Sequence, residues 1–376
     1  MKRPPVVILS GIRWNFLWQR HQALATLFAR AGYPTVFVET TGLANPRPSL
    51  DALRKISARL GASGCSEAQV EKNLTVYAPV TAPPTANTFR KINTRILVPR
   101  VVRDLRSLVG PNPIVVAYPP TWTTLDIVAG LEPRVLLYDR SDEYDAFPGV
   151  PKDIAATERS LIRASDLISC TSTALLEDVK PYRPDAFLSG PAVDYERFAV
   201  LQNERRDGIS TACFFGDVSG SRLDIQVLEA IAQAGIQVKL LGRLDRHENH
   251  LAKMPGIDYV GVVPHNRLPE ALAGVDAFVL PYKASRLARG ISPAKLYECL
   301  ATGKPIVASR LPAILELGQH IYSAETPEDF VKTLQNLQAS ESEVRVRARV
   351  EAACANSWEA RFMEIEHRIQ EILGSA

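Results

Sequence analysis

Long apolar runs are missing from this sequence. No segment approaches the ~20 apolar residues that a membrane-spanning helix needs, so a spanning role is set aside. Cysteine is scarce and scattered: Cys65, Cys170, Cys213, Cys299 and Cys354 are odd in number and far apart. That pattern suits buried free thiols in a reducing cytosol better than a disulfide framework or a zinc site. Disorder-prone composition is missing too, since 46% of residues are hydrophobic, 23% are charged and the mean hydropathy is -0.04. The glycine-rich dinucleotide fingerprint G-x-G-x-x-G and the G-x-S-x-G elbow do not occur. The Gly303-Lys304 pair follows a helical pattern, whereas a phosphate-binding P-loop precedes one. His247 and His250 lie three apart without further metal-ligand spacing, and read as a solvated helix face. The first residues, "MKRPPVVILSGIRW", hold an apolar run that ends at Gly11 and Arg13. It is too short for an export signal and reads as a first strand. A cytoplasmic location is expected.

A chain of 376 residues exceeds one ordinary core and predicts two domains. Short β-branched runs at Val6, Thr35, Leu74, Ile114, Val135 and Asp166 alternate with helical patterns such as Arg20 to Gly32. A second series follows from Ala212 through Ile236, Ile257, Asp276 and Pro305. Such alternation means βαβ units and parallel sheets. The polar stretch from Ser189 to Gly208 reads as a linker, and "SWEARFMEIEHRIQEIL" as a closing amphipathic helix. The expected fold is α/β, with two Rossmann-like domains facing across a cleft: residues 1–190, residues 208–355, and a last helix at 356–376.

The net charge of +3 conceals an asymmetry, with 16 Lys and Arg against 5 Asp and Glu in residues 1–110 and 28 against 36 thereafter. Within the basic part, Phe89 to Gly110 spaces Phe89, Ile92, Ile96, Val101, Val102, Leu105, Leu108 and Val109 at helical intervals, flanked by Arg90, Lys91, Arg95, Arg100, Arg103 and Arg106. Pro99 predicts a kink or a second helix start. A basic amphipathic helix at 89–109 suits an anionic membrane surface or the flank of its own domain. No nucleic-acid-binding motif accompanies the charge, so nucleic acid is not an expected partner.

One junction is especially well marked. In "ISPAKLYECLATGKPIVAS", Ser292 is a natural N-cap, Pro293 a natural first helical residue, and Gly303 with Pro305 a stop. A helix start attracts anions, and Lys295 adds a cation where a helix dipole disfavours one, unless a negative ligand is bound there. Glu298, one turn on, can accept hydrogen bonds from the two hydroxyls of a ribose.

The stretch resembles the nucleotide-sugar-binding segment of GT-B glycosyltransferases, especially bacterial family 4-like enzymes and the teichuronic acid and exopolysaccharide transferases near them. "WNFLWQRHQALATLFARAGYPTVFVET", "LLYDRSDEYDAF", "FFGDVSGSRLDIQVLEAIA", "VVPHNRLPEALAGVDAFVLPYK" and "SWEARFMEI" match in the same order. The resemblance implies an amino-terminal acceptor domain, a carboxyl-terminal donor domain and a last helix crossing back to the first. It places Lys295 near the donor diphosphate, Glu298 on the donor ribose and Ser292 at the phosphate-capping terminus. Arg222, Arg243 and Tyr282 fall at donor-side positions, where either arginine is a diphosphate contact or a surface residue. Gly290 stands where many relatives carry the first glutamate of an E-x7-E pair, which leaves the stereochemical outcome open.

The implied reaction moves a sugar from a nucleotide donor to a lipid-linked or polysaccharide acceptor. No cofactor is expected, the nucleotide sugar being a co-substrate. No isolated D-x-D stands at a plausible strand end, so metal independence is expected, with cations and dipoles stabilising the leaving group. Asp139, Asp142 and Glu143 follow a strand, and Asp142 or Glu143 is the expected base. Arg13, Trp14, Asn15, Arg20 and Gln22 follow the first strand and are expected on the acceptor side, where Trp14 and Trp18 suit stacking on sugar rings. A peripheral position on the inner face of the plasma membrane fits these expectations. A sugar-nucleotide 2-epimerase and a non-catalytic nucleotide-sugar-binding subunit are the alternatives.

Overall fold

The β-branched runs form two separate parallel-rich sheets in the computed structural model, which describes residues 3–16, 18–39, 43, 66–83, 87–203, 208–283, 295–315 and 317–375. The chain divides into an amino-terminal unit, Met1–Ser189 with Phe362–Ala376, and a carboxyl-terminal unit, Gly190–Arg361.

The amino-terminal unit contains β1 (Val6–Leu9), β2 (Thr35–Val38), β3 (Ser66–Glu71), β4 (Leu74–Ala78), β5 (Ile114–Ala117), β6 (Val135–Arg140), β7 (Leu167–Cys170) and β8 (Phe187–Leu188). Its helices are α1 (Arg20–Arg30), α2 (Asn87–Ile92), α3 (Val98–Val109), α4 (Trp122–Leu131), α5 (Ile154–Ala164) and α6 (Thr173–Val179). The strand order is β3-β4-β2-β1-β5-β6-β7-β8. Only β3 runs antiparallel, against β4. Val6 of β1 stands level with Thr35 of β2 and Ile114 of β5, which sets the central register. Strands of a covered parallel sheet are buried on both faces and so read as unbroken apolar runs, as Val6, Val7 and Ile8 do.

The carboxyl-terminal unit contains β9 (Thr211–Phe215), β10 (Gln237–Leu241), β11 (Ile257–Gly261), β12 (Ala277–Leu280), β13 (Ile306–Ser309) and β14 (Tyr322–Ala324) in the order β11-β10-β9-β12-β13-β14. Helices α7 (Tyr195–Ala199), α8 (Ile225–Gln233), α9 (Leu268–Leu272), α10 (Lys295–Ala301), α11 (Pro312–Leu315), α12 (Pro327–Ser340) and α13 (Glu343–Cys354) accompany it. This is the doubly wound order, which reverses between β9 and β12; the first sheet reverses between β1 and β5. Ligands of such sheets bind beyond the strands' carboxyl ends at the reversal.

Two expectations change in the structure, and a third is made specific. Residues 190–203, read as linker, are folded into the second unit: α7 is followed by a 3-10 turn, and Phe198 is wholly buried in that core. The basic segment does break near Pro99, as its sequence predicts, and a second helix starts there. Between α2 and α3 lies a π turn, Asn93–Leu97, just before Pro99, whose missing N–H and ring oppose a regular turn. One extra residue per turn rotates the apolar stripe, so Val98, Val101 and Leu105 point into the core while Phe89, Ile92 and Ile96 stay 39%, 42% and 59% exposed. Buried Asn93 fixes the bulge, accepting from Ala82 N and donating to Ala82 O and Thr123 Oγ1. Lastly, Cys170, Cys213 and Cys299 are buried free thiols, but Cys354 is exposed; Cys65 lies outside the described residues.

The last helix, α14 (Trp358–Ser375), starts in the second unit and ends in the first. Phe362, Ile365 and Ile369 enter the first unit's core, where Phe362 meets Phe28 edge-on at 5.0 Å. Tyr33 pins it further: its hydroxyl donates to Glu366 at 2.7 Å and accepts from Arg3 and Gln370. Among the described residues no helix is long and apolar enough to cross a membrane.

Candidate functional site

The reversal point of the carboxyl-terminal sheet is built by β9, β10, β12 and α10. β9 ends in Phe214 and Phe215 and passes into Gly216, while β10 passes into Gly242. Both glycines have positive φ, +127 and +123, and approach closely: a Cβ on Gly242 would lie 1.9 Å from the Gly216 carbonyl oxygen. A side chain is excluded there. Gly216 also makes room for Lys295, because a Cβ on it would stand 2.3 Å from Nζ.

Helix α10 buries Leu296, Cys299 and Leu300, a spacing that turns Lys295 and Glu298 to the other side. Its end is marked by Gly303 at φ +69, whose carbonyl accepts from Arg349 Nε at 3.0 Å. Lys295 Nζ lies over the Phe214 ring at 4.3 Å and near the Phe215 and Tyr282 rings at 5.7 and 5.8 Å. An ammonium held over ring faces is oriented without losing its charge. Among the described residues no carboxylate pairs with it. Glu298 instead meets His265, Oε1 to Nε2 at 2.8 Å, in a partly buried contact. His265 Nδ1 stands 3.0 Å from Arg197 Nη1, and Arg197 Nη2 pairs with Asp194 at 3.0 Å.

The other donor-side candidates scatter around this core. Tyr282 is buried directly after β12. Arg243 is exposed and donates to Asp217 at 2.8 Å, which raises its pKa. Half-buried Arg222 lies in the turn between β9 and α8, its carbonyl accepting from Lys283 N. Ser292 and Gly290 lie outside the described residues. Sequence reasoning singled out neither His265 nor Arg197, although His265 stands at a strand-to-helix junction within "VVPHNRLPEALAGVDAFVLPYK".

The amino-terminal unit fills its own reversal point with a buried polar cluster. Arg20 Nε donates to Asp139 at 2.6 Å and Nη2 to Ser189 at 2.8 Å, while Ser169 donates to the other Asp139 oxygen at 2.6 Å. His21 stacks on Tyr118 at 3.6 Å and meets Ser10 through Nδ1 at 2.8 Å. Burial, opposed by Asp139 and helped by Arg20, lowers its pKa to about 3. Gln22 is also buried, accepting from Gln19 N and donating to Trp14 O. Arg20 and Gln22 thus use polar groups to hold the unit together. Arg13 and Asn15 are exposed beside them, and Trp14 is half-buried, its ring 5.1 Å from Phe37 and 5.9 Å from Trp18. Beyond β6, Asp142 is half-buried, with Ser141 donating to it at 3.4 Å, and Glu143 is 4% exposed. Among the described residues no group of His, Cys, Asp and Glu is arranged to hold a metal, and His250 pairs with Glu229 at 2.9 Å.

Residues 222–374 match the family model for glycosyl transferase-like proteins. A teichuronic acid biosynthesis glycosyltransferase assignment, TuaH of Bacillus subtilis (strain 168), belongs to a relative that is 24% identical over 236 residues. The match covers 57% of this chain and 59% of that protein, so the chain spans less than two thirds of its relative's length. Among solved structures, sucrose-phosphate synthase from Thermosynechococcus elongatus superposes with a TM-score of 0.71 at 14% identity, covering 100% of both chains. Anabaena HepE, in complex with UDP and glucose, gives 0.69 at 12% identity over 98% of this chain and 100% of its own. The chain has the GT-B glycosyltransferase fold. Lys295 and Glu298 lie within the matched residues 222–374.

Proposed function

We propose that the protein transfers a sugar from a nucleoside-diphosphate sugar to a lipid-linked or saccharide acceptor in bacterial cell-surface polysaccharide synthesis. One observation carries this reading: Lys295 is presented over Phe214 at the reversal point of the carboxyl-terminal sheet, with Glu298 one turn further on. Departure of a nucleoside diphosphate concentrates negative charge on its phosphates, and a preoriented ammonium stabilises that charge more in the transition state than in the ground state. Arg222 or Arg243 adds to the field. This division of labour asks for neither a metal nor a cofactor. Glu298 accepts from the donor ribose, Tyr282 borders the pocket, and Ser292 contributes at the phosphate end. In the amino-terminal unit, Asp142 or Glu143 takes the acceptor proton, and Arg13, Trp14 and Asn15 contact the acceptor. The exposed Phe89, Ile92 and Ile96, with Lys91, Arg95 and Arg100 beside them, would bring the enzyme to an anionic lipid surface on the cytoplasmic side.

A thermal-shift panel of UDP-, GDP-, ADP- and dTDP-sugars tests the donor site. A donor at 100 times its Kd should stabilise the protein by about 2.7 kcal/mol. Lys295→Ala should abolish the shift while the unliganded midpoint stays in place. A full response from that variant, or none from the wild type with any donor, would refute the assignment. Turnover of the recognised donor by Asp142→Asn and Glu143→Gln then identifies the base, and full activity in both would exclude the pair.

A further inference from the structure

We propose that His265 is a positioning residue that holds the Glu298 carboxylate in a ribose-selective pose, a role that rests on the donor-site reading above. The hydrogen bonds run in one direction only. Arg197 cannot accept, so its contact at 3.0 Å makes His265 Nδ1 the acceptor. The ring proton then sits on Nε2, where it donates to Glu298 Oε1 at 2.8 Å. Asp194 holds Arg197 from behind at 3.0 Å, and buried Phe198 flanks the imidazole at 5.9 Å. Four side chains from two short segments thereby fix one carboxylate oxygen on α10.

The consequence concerns the second oxygen. A glutamate on its own samples many rotamers and must be ordered by its ligand, which costs affinity. With Oε1 tied to His265, the carboxylate plane is set before the ligand arrives, and its remaining lone pairs are directed at a fixed point. Vicinal ribose hydroxyls can donate to such an acceptor, whereas a deoxyribose offers one donor fewer. His265 and Glu298 are only 13% and 15% exposed, so water competes poorly for the contact. His265 therefore sets how strongly the site prefers ribose over deoxyribose without touching the sugar.

The test uses the full chain and matched pairs of diphosphates: UDP with dUDP, GDP with dGDP, and ADP with dADP. Isothermal titration should show the wild type preferring the ribo form of the recognised base, and Glu298→Ala losing that preference. His265→Leu should weaken the ribo form about tenfold and the deoxy form less than twofold, collapsing the ratio. His265→Gln, whose amide can donate to Glu298 and accept from Arg197, should restore it; a merely structural histidine would not behave this way. Arg197→Met, which releases the proton from its assigned nitrogen, provides the same readout should the leucine variant fail to fold. If His265→Leu and Arg197→Met keep the wild-type ratio while Glu298→Ala loses it, the role of His265 is refuted and the donor site stands. If the wild type binds no diphosphate, or Glu298→Ala keeps the preference, the donor reading fails and this inference with it.

Discussion

Lowering the pH from 7.5 to 5.0 should cost the amino-terminal unit about 2 kcal/mol through His21 alone. The ring is 5% exposed, stacks on Tyr118 and meets the Ser10 hydroxyl through Nδ1. Burial is the main cause that takes its pKa from 6.5 to about 3; neighbouring Arg20 adds to the drop and Asp139 opposes it. Above pH 6.5 the ring is neutral in both folded and unfolded chains, and nothing depends on it. Between 6.5 and 3 the unfolded chain binds the proton and the folded one does not, so stability falls as the pH falls. At pH 5.0 the unfolded state gains a factor of about 30, which is the 2 kcal/mol above. Urea unfolding followed by tryptophan fluorescence measures it, in a Trp358→Phe background so that only Trp14, Trp18 and Trp122 of the first unit report. His21→Phe keeps an aromatic ring on Tyr118 but takes up no proton, and should lose about 2 kcal/mol less than the parent across this pH range. Equal losses in parent and variant would show that His21 is not held neutral by burial.

Gly242→Ala should destabilise the carboxyl-terminal unit by at least about 3 kcal/mol, because the new methyl group meets the Gly216 carbonyl at a backbone angle that L-residues avoid; an unchanged calorimetric midpoint would contradict that close approach. Replacing Phe89, Ile92 and Ile96 together by serine should leave the melting temperature nearly unchanged, since these side chains are exposed. Flotation with phosphatidylglycerol vesicles should fall sharply in that variant. Equal flotation of the wild type with neutral and anionic vesicles would remove the proposed role of the flanking basic residues.

Strands were the most legible elements. Runs such as Val6–Leu9 and Ala277–Leu280 are apolar at every position because both faces are covered. The three strands that escaped notice lack that signal: Ser66–Glu71 is an edge strand with no apolar run, Phe187–Leu188 is two residues long, and Tyr322–Ala324 is a three-residue edge strand. Lys295 and Glu298 could be singled out because the helix end around them follows capping rules. His265 and Arg197 could not, since the chain between Arg197 and Glu298 contains four of the second sheet's six strands and no local pattern links them. Arg20 shows the opposite limit: an arginine after a first strand looks available to a ligand, and only its distant partners Asp139 and Ser189 reveal that it is bound internally.

The return of α14 to the amino-terminal unit has a consequence for biosynthesis. Phe28 and Tyr33 emerge early from the ribosome, yet the residues that cover them, Phe362, Glu366 and Ile369, are among the last to be made. At about 5–20 residues per second the first sheet must wait ten seconds or more with an apolar flank uncovered. A nascent chain stalled before Arg361 would therefore be a client for chaperones, although its own eight strands were already complete.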